Sequence, residues 1–467
     1  MSDAEPKELP VDLLVMLAKW LRDERQAAFK ALAGRPSAIE IQQLVATRDD
    51  NGQWSGKYVT KNVTPFYNVS YAIQLGLLDW NKLDPSAVAV ADSIVHEHQP
   101  TLVPISAVGG GLGWAQQHLA DPSVVDERDD KEVFVAVVHA LSAARQHYLG
   151  SLSDLAADDQ TLIDSVVKEL TESFEVAQLE GRSLIPIQAP YLGDSTLSEG
   201  PVTIRPLSPT EAGELIFTSH EATLPGGANR EFMRNIDTDL VGITHMLSWQ
   251  QEVTTDEARG SYTTAWRPFL LAMAILGHPL KVVGHVTSTI IPRWFSIGKF
   301  GTPVITPQIA ATNAPELTRE LIGAALTLSK KLSENIFTEP SGFDETTIRR
   351  FVNALGRTSA GDGLVDLVTC LEGLLVPSTA TEISYRFRVH GALYLANAKD
   401  ERSELYESLK AMYDTRSKIV HRSSSFPKHD VVSQQRSAAF ELARRGLLKA
   451  IEIGWPDESA FRKLLLD

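Results

Sequence analysis

The last third of the chain contains one amphipathic segment after another, and this pattern constrains the fold more than any other feature of the sequence. In the first segment, Leu317, Leu321 and Leu328 recur at the spacing of one helical face. The same pattern predicts helices over 315–333, 346–356, 363–376, 386–398, 402–420 and 432–453. Helices that follow one another with short connections favour a helical bundle.

The preceding two thirds differ in character. Apolar spacing and capping signals predict helices over 8–33, 37–46, 69–77, 85–95, 114–120, 130–148 and 159–180. Short apolar runs between Pro and Gly residues predict strands over 183–187, 202–205, 214–217, 262–275 and 280–291. We therefore expect a mainly α protein with three parts: a helical N-terminal region (1–181), a mixed or β-rich region (182–310) and a C-terminal helical bundle (311–467).

Composition places the chain among ordinary globular proteins, since 43% of its 467 residues are hydrophobic and 22% are charged. The net charge of −15 is unevenly distributed, because 345–467 carries 18 Lys+Arg against 16 Asp+Glu and is the less acidic part. An acidic body of this kind argues against a general nucleic-acid coat but allows a local basic site in the C-terminal part.

The single cysteine, Cys370, cannot form an intramolecular disulfide, and this favours a reducing cytoplasm. No apolar run is long enough to cross a membrane, so we expect no membrane partner. The acidic start of the sequence, Met1–Glu5, lacks the basic and apolar segments of a signal peptide.

Residues with chemistry suited to a phosphodiester lie together near the end of the predicted 402–420 helix. Arg416 offers the fork of donors that fits phosphate, and His421 supplies an imidazole, the side chain that most often transfers protons in enzymes. Ser417 is four residues before His421, so both would lie on one helical face. RNA carries its own 2′-hydroxyl nucleophile, and the histidine can move its proton while the arginine stabilises the charged transition state.

The sequence around this motif resembles that of a known protein family. The stretches Asp362–Leu375, Glu382–Ala392 and Leu409–His421 resemble, in order and spacing, the Apea-like HEPN domains of bacterial anti-phage proteins. The resemblance covers about 315–455, and the Arg-x4-His motif is its most specific part. It implies a helical endoribonuclease domain that acts as a homodimer, with two motifs forming one composite site and no metal or cofactor. It also implies an abortive-infection effector.

The resemblance assigns roles to further residues. Glu372 would pair with Arg416 from a neighbouring helix and hold it in place. Ser417 departs from the Asn, Asp or His that family members often carry there, which leaves its orienting role open. The candidate RNA-binding residues are Arg386, Arg388, Lys418 and Arg422.

Other interpretations remain open at the level of sequence. In the first of them, the protein is catalytically inactive, the bundle serves only for dimerisation, and the protein recognises a phage or host component. Alternatively, a small-molecule enzyme would occupy 182–310. The N-terminal region would sense a phage-derived trigger or restrain the bundle. Two weaker motifs, Gly109–Gly113 as a phosphate loop and His96 with His98 as metal ligands, lack the spacing of known sites.

Overall fold

The molecule is described from a computed structural model. The structure describes residues 11–33, 39–48, 54–63, 85–106, 119–121, 123–126, 128–152, 155–156, 158–174, 179–208, 211–212, 220–223, 229–232, 243–253, 264–283, 285–291, 294, 300–303, 316–333, 342–377, 382–396, 398–421 and 427–466. The predictions for 69–77, 214–217 and Gly109–Gly113 lie outside these residues, as does nearly all of the 114–120 helix.

Helices dominate the described chain, which confirms the mainly α prediction. The first six are α1 Val11–Leu32, α2 Pro85–Ser106, α3 Ser123–Asp126, α4 Lys131–Ser151, α5 Gln160–Phe174 and α6 Arg267–Ile275. The C-terminal helices are α7 Arg319–Leu332, α8 Gly342–Gly356, α9 Ala360–Leu375, α10 Ile383–Leu395, α11 Glu401–Val420, α12 His429–Ile453 and α13 Glu458–Leu466. All six helices predicted after 315 are present, and α13 is an addition.

Two antiparallel sheets complete the fold. The strands are β1 Ile39–Arg48, β2 Trp54–Val63, β3 Leu179–Gln188, β4 Leu197–Glu199, β5 Val202–Pro206, β6 His220–Thr223, β7 Asn229–Phe232, β8 His245–Val253, β9 Lys281–Val282, β10 His285–Ile291 and β11 Phe300–Pro303. One sheet has the order β2-β1-β6-β7, and the other has the order β11-β10-β3-β8-β5-β4 with β9 beside β3. The β-containing middle region is thereby confirmed.

The predicted helix over 37–46 is wrong, because this segment forms β1. Strand β1 pairs with β2 from Ile39 opposite Val63 to Arg48 opposite Trp54. Pairing with a partner strand supplies backbone hydrogen bonds along one edge of all ten residues, and this outweighs a local capping signal at Ser37. The helical first third therefore includes a β-hairpin.

The predicted strand over 262–275 is also wrong. Its second half forms helix α6, which begins with Pro268 in the first turn and buries Phe269, Met273 and Ile275. Proline at that position is preorganised for a helix, since its missing N–H would have no partner there. The predicted helix over 159–180 ends at Phe174, and β3 begins at Leu179.

Buried apolar side chains form two clusters. The first extends from Leu13 to Leu179 and also includes Val253 and Trp294. The second extends from Ile185 to Phe461, so the larger sheet and the C-terminal helices share one core. None of the described helices is long and apolar enough to cross a membrane.

Helix α9 lies at the centre of the C-terminal helices and packs against α8, α10, α11 and α12. Glycines permit close approaches between these helices. A Cβ at Gly363 would collide with Arg436 of α12, and a Cβ at Gly446 would lie 2.5 Å from a methyl group of Leu374. Cys370 is completely buried in this helix, and burial raises the pKa of its thiol. These contacts fix how the polar residues of α9 meet their neighbours.

Candidate functional site

The candidate site is built around α9, which the local sequence favours as a helix. The side chain of Ser359 caps its first turn by accepting a hydrogen bond from the amide of Asp362 at 3.3 Å. The apolar residues of the helix face the core, and Glu372 remains half-buried near its end. This arrangement places one carboxylate at the interface with α11.

Arg416 and Glu372 lie together, as the sequence predicts. A terminal guanidinium nitrogen of Arg416 is 3.6 Å from the Glu372 carboxylate, and the two side chains are 24% and 17% exposed. The hydroxyl of Tyr413 also donates to this carboxylate. The Nε of Arg416 is buried and has no hydrogen-bond partner among the described residues. Arg416 thus retains donor capacity at a partly desolvated position.

Burial decides the ionisation of this cluster. It raises the pKa of Glu372, and the opposing effects of Arg416 and the Tyr413 hydroxyl do not cancel it. The pKa of Tyr413 is raised by burial and by the adjacent carboxylate. The fold therefore favours the neutral carboxyl more than water does.

His421 lies at the other end of the motif. It follows directly after α11, its backbone N–H donates to the carbonyl of Ser417 at 3.0 Å, and its side chain is exposed. The guanidinium of Arg416 runs back along α11, with its central carbon 5.8 Å from the ring centroid of Tyr413. Among the described residues, no hydrogen bond joins Arg416 to His421. Within one chain the two side chains are therefore not linked directly.

Of the four predicted RNA-binding residues, two make contacts within the chain, one is exposed and one is not described by the structure. Arg386 pairs with Glu458 of α13 at 2.6 Å. The Nε of Arg388 donates to the carbonyl of Ser384 at 2.8 Å. Lys418 is exposed on α11. Arg422 lies outside the described residues.

The sequence reasoning missed a second charged cluster on α9. Asp366 is only 3% exposed and accepts from Arg350 Nη1 at 2.9 Å and from Arg357 Nε at 2.8 Å. Beneath them, Nη2 of the buried Arg436 donates to the carbonyls of Ala354 and Arg357 at 3.0 and 2.7 Å. The available signal was an aspartate inside the apolar run 364–368, because such a residue needs a partner when it is buried.

Candidate metal ligands do not gather in the described part of the chain. No group of three or more His, Cys, Asp or Glu residues there is arranged to hold a metal ion. His96 is exposed on α2, and the side chain of His98 lies outside the described residues.

Comparison with known proteins adds no assignment. No family model matches the chain, and neither a curated protein nor a solved structure matches it. The site is therefore interpreted from its own residues.

Proposed function

We propose that the protein is a metal-independent endoribonuclease whose Arg-x4-His motif cleaves RNA. The observation that carries the proposal is the state of Arg416. Its guanidinium is anchored 3.6 Å from Glu372, and its side chain remains 24% exposed. A partly desolvated guanidinium with unused donors is suited to stabilise an anionic transition state.

His421 supplies the proton chemistry in this proposal. Its exposed imidazole, just past the end of α11, is accessible to a substrate from solvent. It removes the proton from the 2′-hydroxyl or protonates the departing 5′-oxygen, and the products carry 2′,3′-cyclic phosphate and 5′-hydroxyl ends. Ser417, half-buried one turn earlier, orients the scissile phosphate.

The HEPN resemblance implies a homodimeric site, and the lack of a direct hydrogen bond between Arg416 and His421 within one chain is consistent with it. In a dimer, His421 of one chain would complete the site around Arg416 of the other. Val420, which precedes His421 directly and is 46% exposed, provides apolar surface for a second copy. The N-terminal region would act as sensor or restraint for a phage-derived trigger in an abortive-infection system.

The competing proposal is a catalytically inactive dimerisation or binding protein. The Arg416–Glu372 pair favours it, because an arginine that is already bound to a carboxylate is able to join α9 and α11 without taking part in any reaction. In that case no property of the protein would depend on His421 except local packing.

The experiment that separates these proposals is cleavage of end-labelled single-stranded RNA in EDTA by the wild type and by His421→Ala. His421 is exposed, so the variant should fold normally. We expect cleavage by the wild type with cyclic phosphate ends, and a loss of about 10²-fold or more in the variant.

Equal cleavage by both proteins would reject His421 as the proton carrier. Absence of cleavage by the wild type, both alone and with lysate from phage-infected cells, would favour the inactive binding protein.

A further inference from the structure

Helix α9 carries a single stripe of accessible residues. Asp362 is exposed, and Val365, Thr369 and Glu372 are half-buried, while the residues between them face the core. Spacings of three and four residues place these four side chains along one side of the helix. The stripe extends from the start of α9 almost to its end.

Two helices border this stripe. On one side, Asp366 binds Arg350 of α8 and Arg357, which follows α8 directly. On the other side, Glu372 binds Arg416 of α11, and a Cβ at Gly361 would lie 3.7 Å from Ile419 of the same helix. The stripe therefore lies between α8 and α11, and we call the surface that it forms with these two helices the groove.

The α8 side of the groove presents two arginines held side by side. Their side chains are 43% and 47% exposed, whereas Asp366 beneath them is 3% exposed. Arg350 uses Nη1 and Arg357 uses Nε for this carboxylate, so the other nitrogens of both guanidinium groups are not needed for this contact. The Asp366 carboxylate thus fixes the positions of two guanidinium groups.

The charges around the groove favour an anion on its surface. Two of the three carboxylates of α9, Asp366 and Glu372, are paired with arginines, and the guanidinium of Arg436 adds a buried positive charge. Asp362 is the exposed carboxylate of the stripe, and it interacts with Arg357. The outer face of the α8 wall is therefore cationic, with Asp362 weakening it.

We propose that this groove binds the phosphate backbone of single-stranded RNA, with Arg350 and Arg357 each contacting a phosphate. The proposal rests on the proposed ribonuclease function and names a path for its substrate. Arginine binds phosphate through paired N–H donors, and two guanidinium groups on one carboxylate lie close enough for neighbouring phosphates of a strand. Arg416 on the opposite wall would face the same strand.

The test compares RNA binding by full-length Arg350→Gln, Arg357→Gln and a matched control, Arg349→Gln. Each of the first two variants leaves one arginine on Asp366, so the buried carboxylate keeps a partner. Arg349 is an exposed residue of α8 beside Arg350, and its substitution changes the net charge equally. The probe is a fluorescent single-stranded 2′-O-methyl RNA, which cannot be cleaved, and anisotropy is measured over a range of salt concentrations.

We expect Kd to rise about fivefold in each test variant at low salt. The slope of log K against log salt should also fall in magnitude by about 0.7, the amount for one lost phosphate contact on a single strand. Arg349→Gln should resemble the wild type. Asp362→Asn should bind more tightly, because it removes the exposed carboxylate of the groove.

This proposal can fail separately from the ribonuclease proposal. If the wild type cleaves RNA while Arg350→Gln and Arg357→Gln bind it with unchanged Kd and slope, the groove is not the RNA path. Binding that depends on both arginines in a protein without cleavage would uphold the groove and reject the nuclease. If the wild type neither binds nor cleaves RNA, both proposals are rejected.

Discussion

Replacement of Asp366 by asparagine tests the contact that joins α8 to the central helix. The carboxylate is 3% exposed and accepts one charge-assisted hydrogen bond from each of Arg350 and Arg357, at 2.9 and 2.8 Å. Asparagine has nearly the same shape but one acceptor oxygen, and its amide group donates. One of the two bonds must therefore be lost, and a donor then faces a guanidinium group.

The magnitude follows from the burial of each partner. A hydrogen bond to a charged group contributes about 1.5–3 kcal/mol. Arg350 and Arg357 are 43% and 47% exposed, so each can turn to water when its partner is lost. The cost of Asp366→Asn should therefore be about 2 kcal/mol, at the lower end of that range. A cost of about 2 kcal/mol raises the equilibrium constant for local opening of α9 about 30-fold.

Hydrogen exchange of the α9 amides, measured by mass spectrometry, reports this local opening. We expect about 30-fold faster exchange of the protected amides of α9 in Asp366→Asn. Asp362→Asn is the matched control, because it makes the same chemical change at an exposed position of the same helix. Exchange in Asp366→Asn equal to that in the control would refute the assignment of the two arginines as stabilising partners.

Three further predictions concern α9 and its neighbours. Arg416→Lys keeps the charge but loses the fork of donors, so RNA cleavage should fall about 10²-fold in initial-rate assays; a full rate would contradict the role of the guanidinium. Burial raises the pKa of Glu372 in the folded protein, so the folded state holds this proton more tightly than the unfolded state does. The resulting stabilisation is complete below the unfolded pKa of about 4.3, and it is lost as pH rises through the higher folded pKa. Glu372→Gln should therefore lose less stability than the wild type between pH 4 and pH 7, measured by urea unfolding; an equal loss would exclude Glu372 as the source. Gly363→Ala should destabilise by about 1–3 kcal/mol because its Cβ collides with Arg436, whereas Gly361→Ala makes an ordinary contact; equal melting temperatures would contradict this packing.

The C-terminal helices could be predicted from sequence because their signals are local. Leu317, Leu321 and Leu328 mark one face of α7, and the side chain of Thr318 caps it by accepting from the amide of Leu321. Each such helix has its own apolar stripe and its own sequence signals for where it begins and ends. Prediction of the helices therefore required no knowledge of their neighbours.

The wrong predictions concern segments whose structure depends on distant residues or on ambiguous patterns. Residues 39–48 become a strand because 54–63 pair with them, and a second partner arrives from β6, where Ile41 lies opposite Ala222. The 262–275 segment is a continuous apolar run, which periodicity alone does not assign to helix or strand. Only Pro268 indicated the helix that forms there.

The candidate site was predictable only in part for the same reason. The Arg416–Glu372 pair followed from a family pattern, and the structure places the two side chains together. The pairing of Asp366 with Arg350 and Arg357 depends on the register of α8 against α9, which no local pattern specifies. The sequence analysis therefore missed both the buried acid and its partners.

The burial of Cys370 makes the protein convenient for site-directed labelling. The thiol has no solvent exposure and a raised pKa, so it should not react with maleimide dyes in the folded protein. A cysteine introduced at exposed Arg349 would then accept a dye at one chosen position. Mixing donor-labelled and acceptor-labelled copies would reveal by energy transfer whether two chains associate, without removal of any native residue from the core.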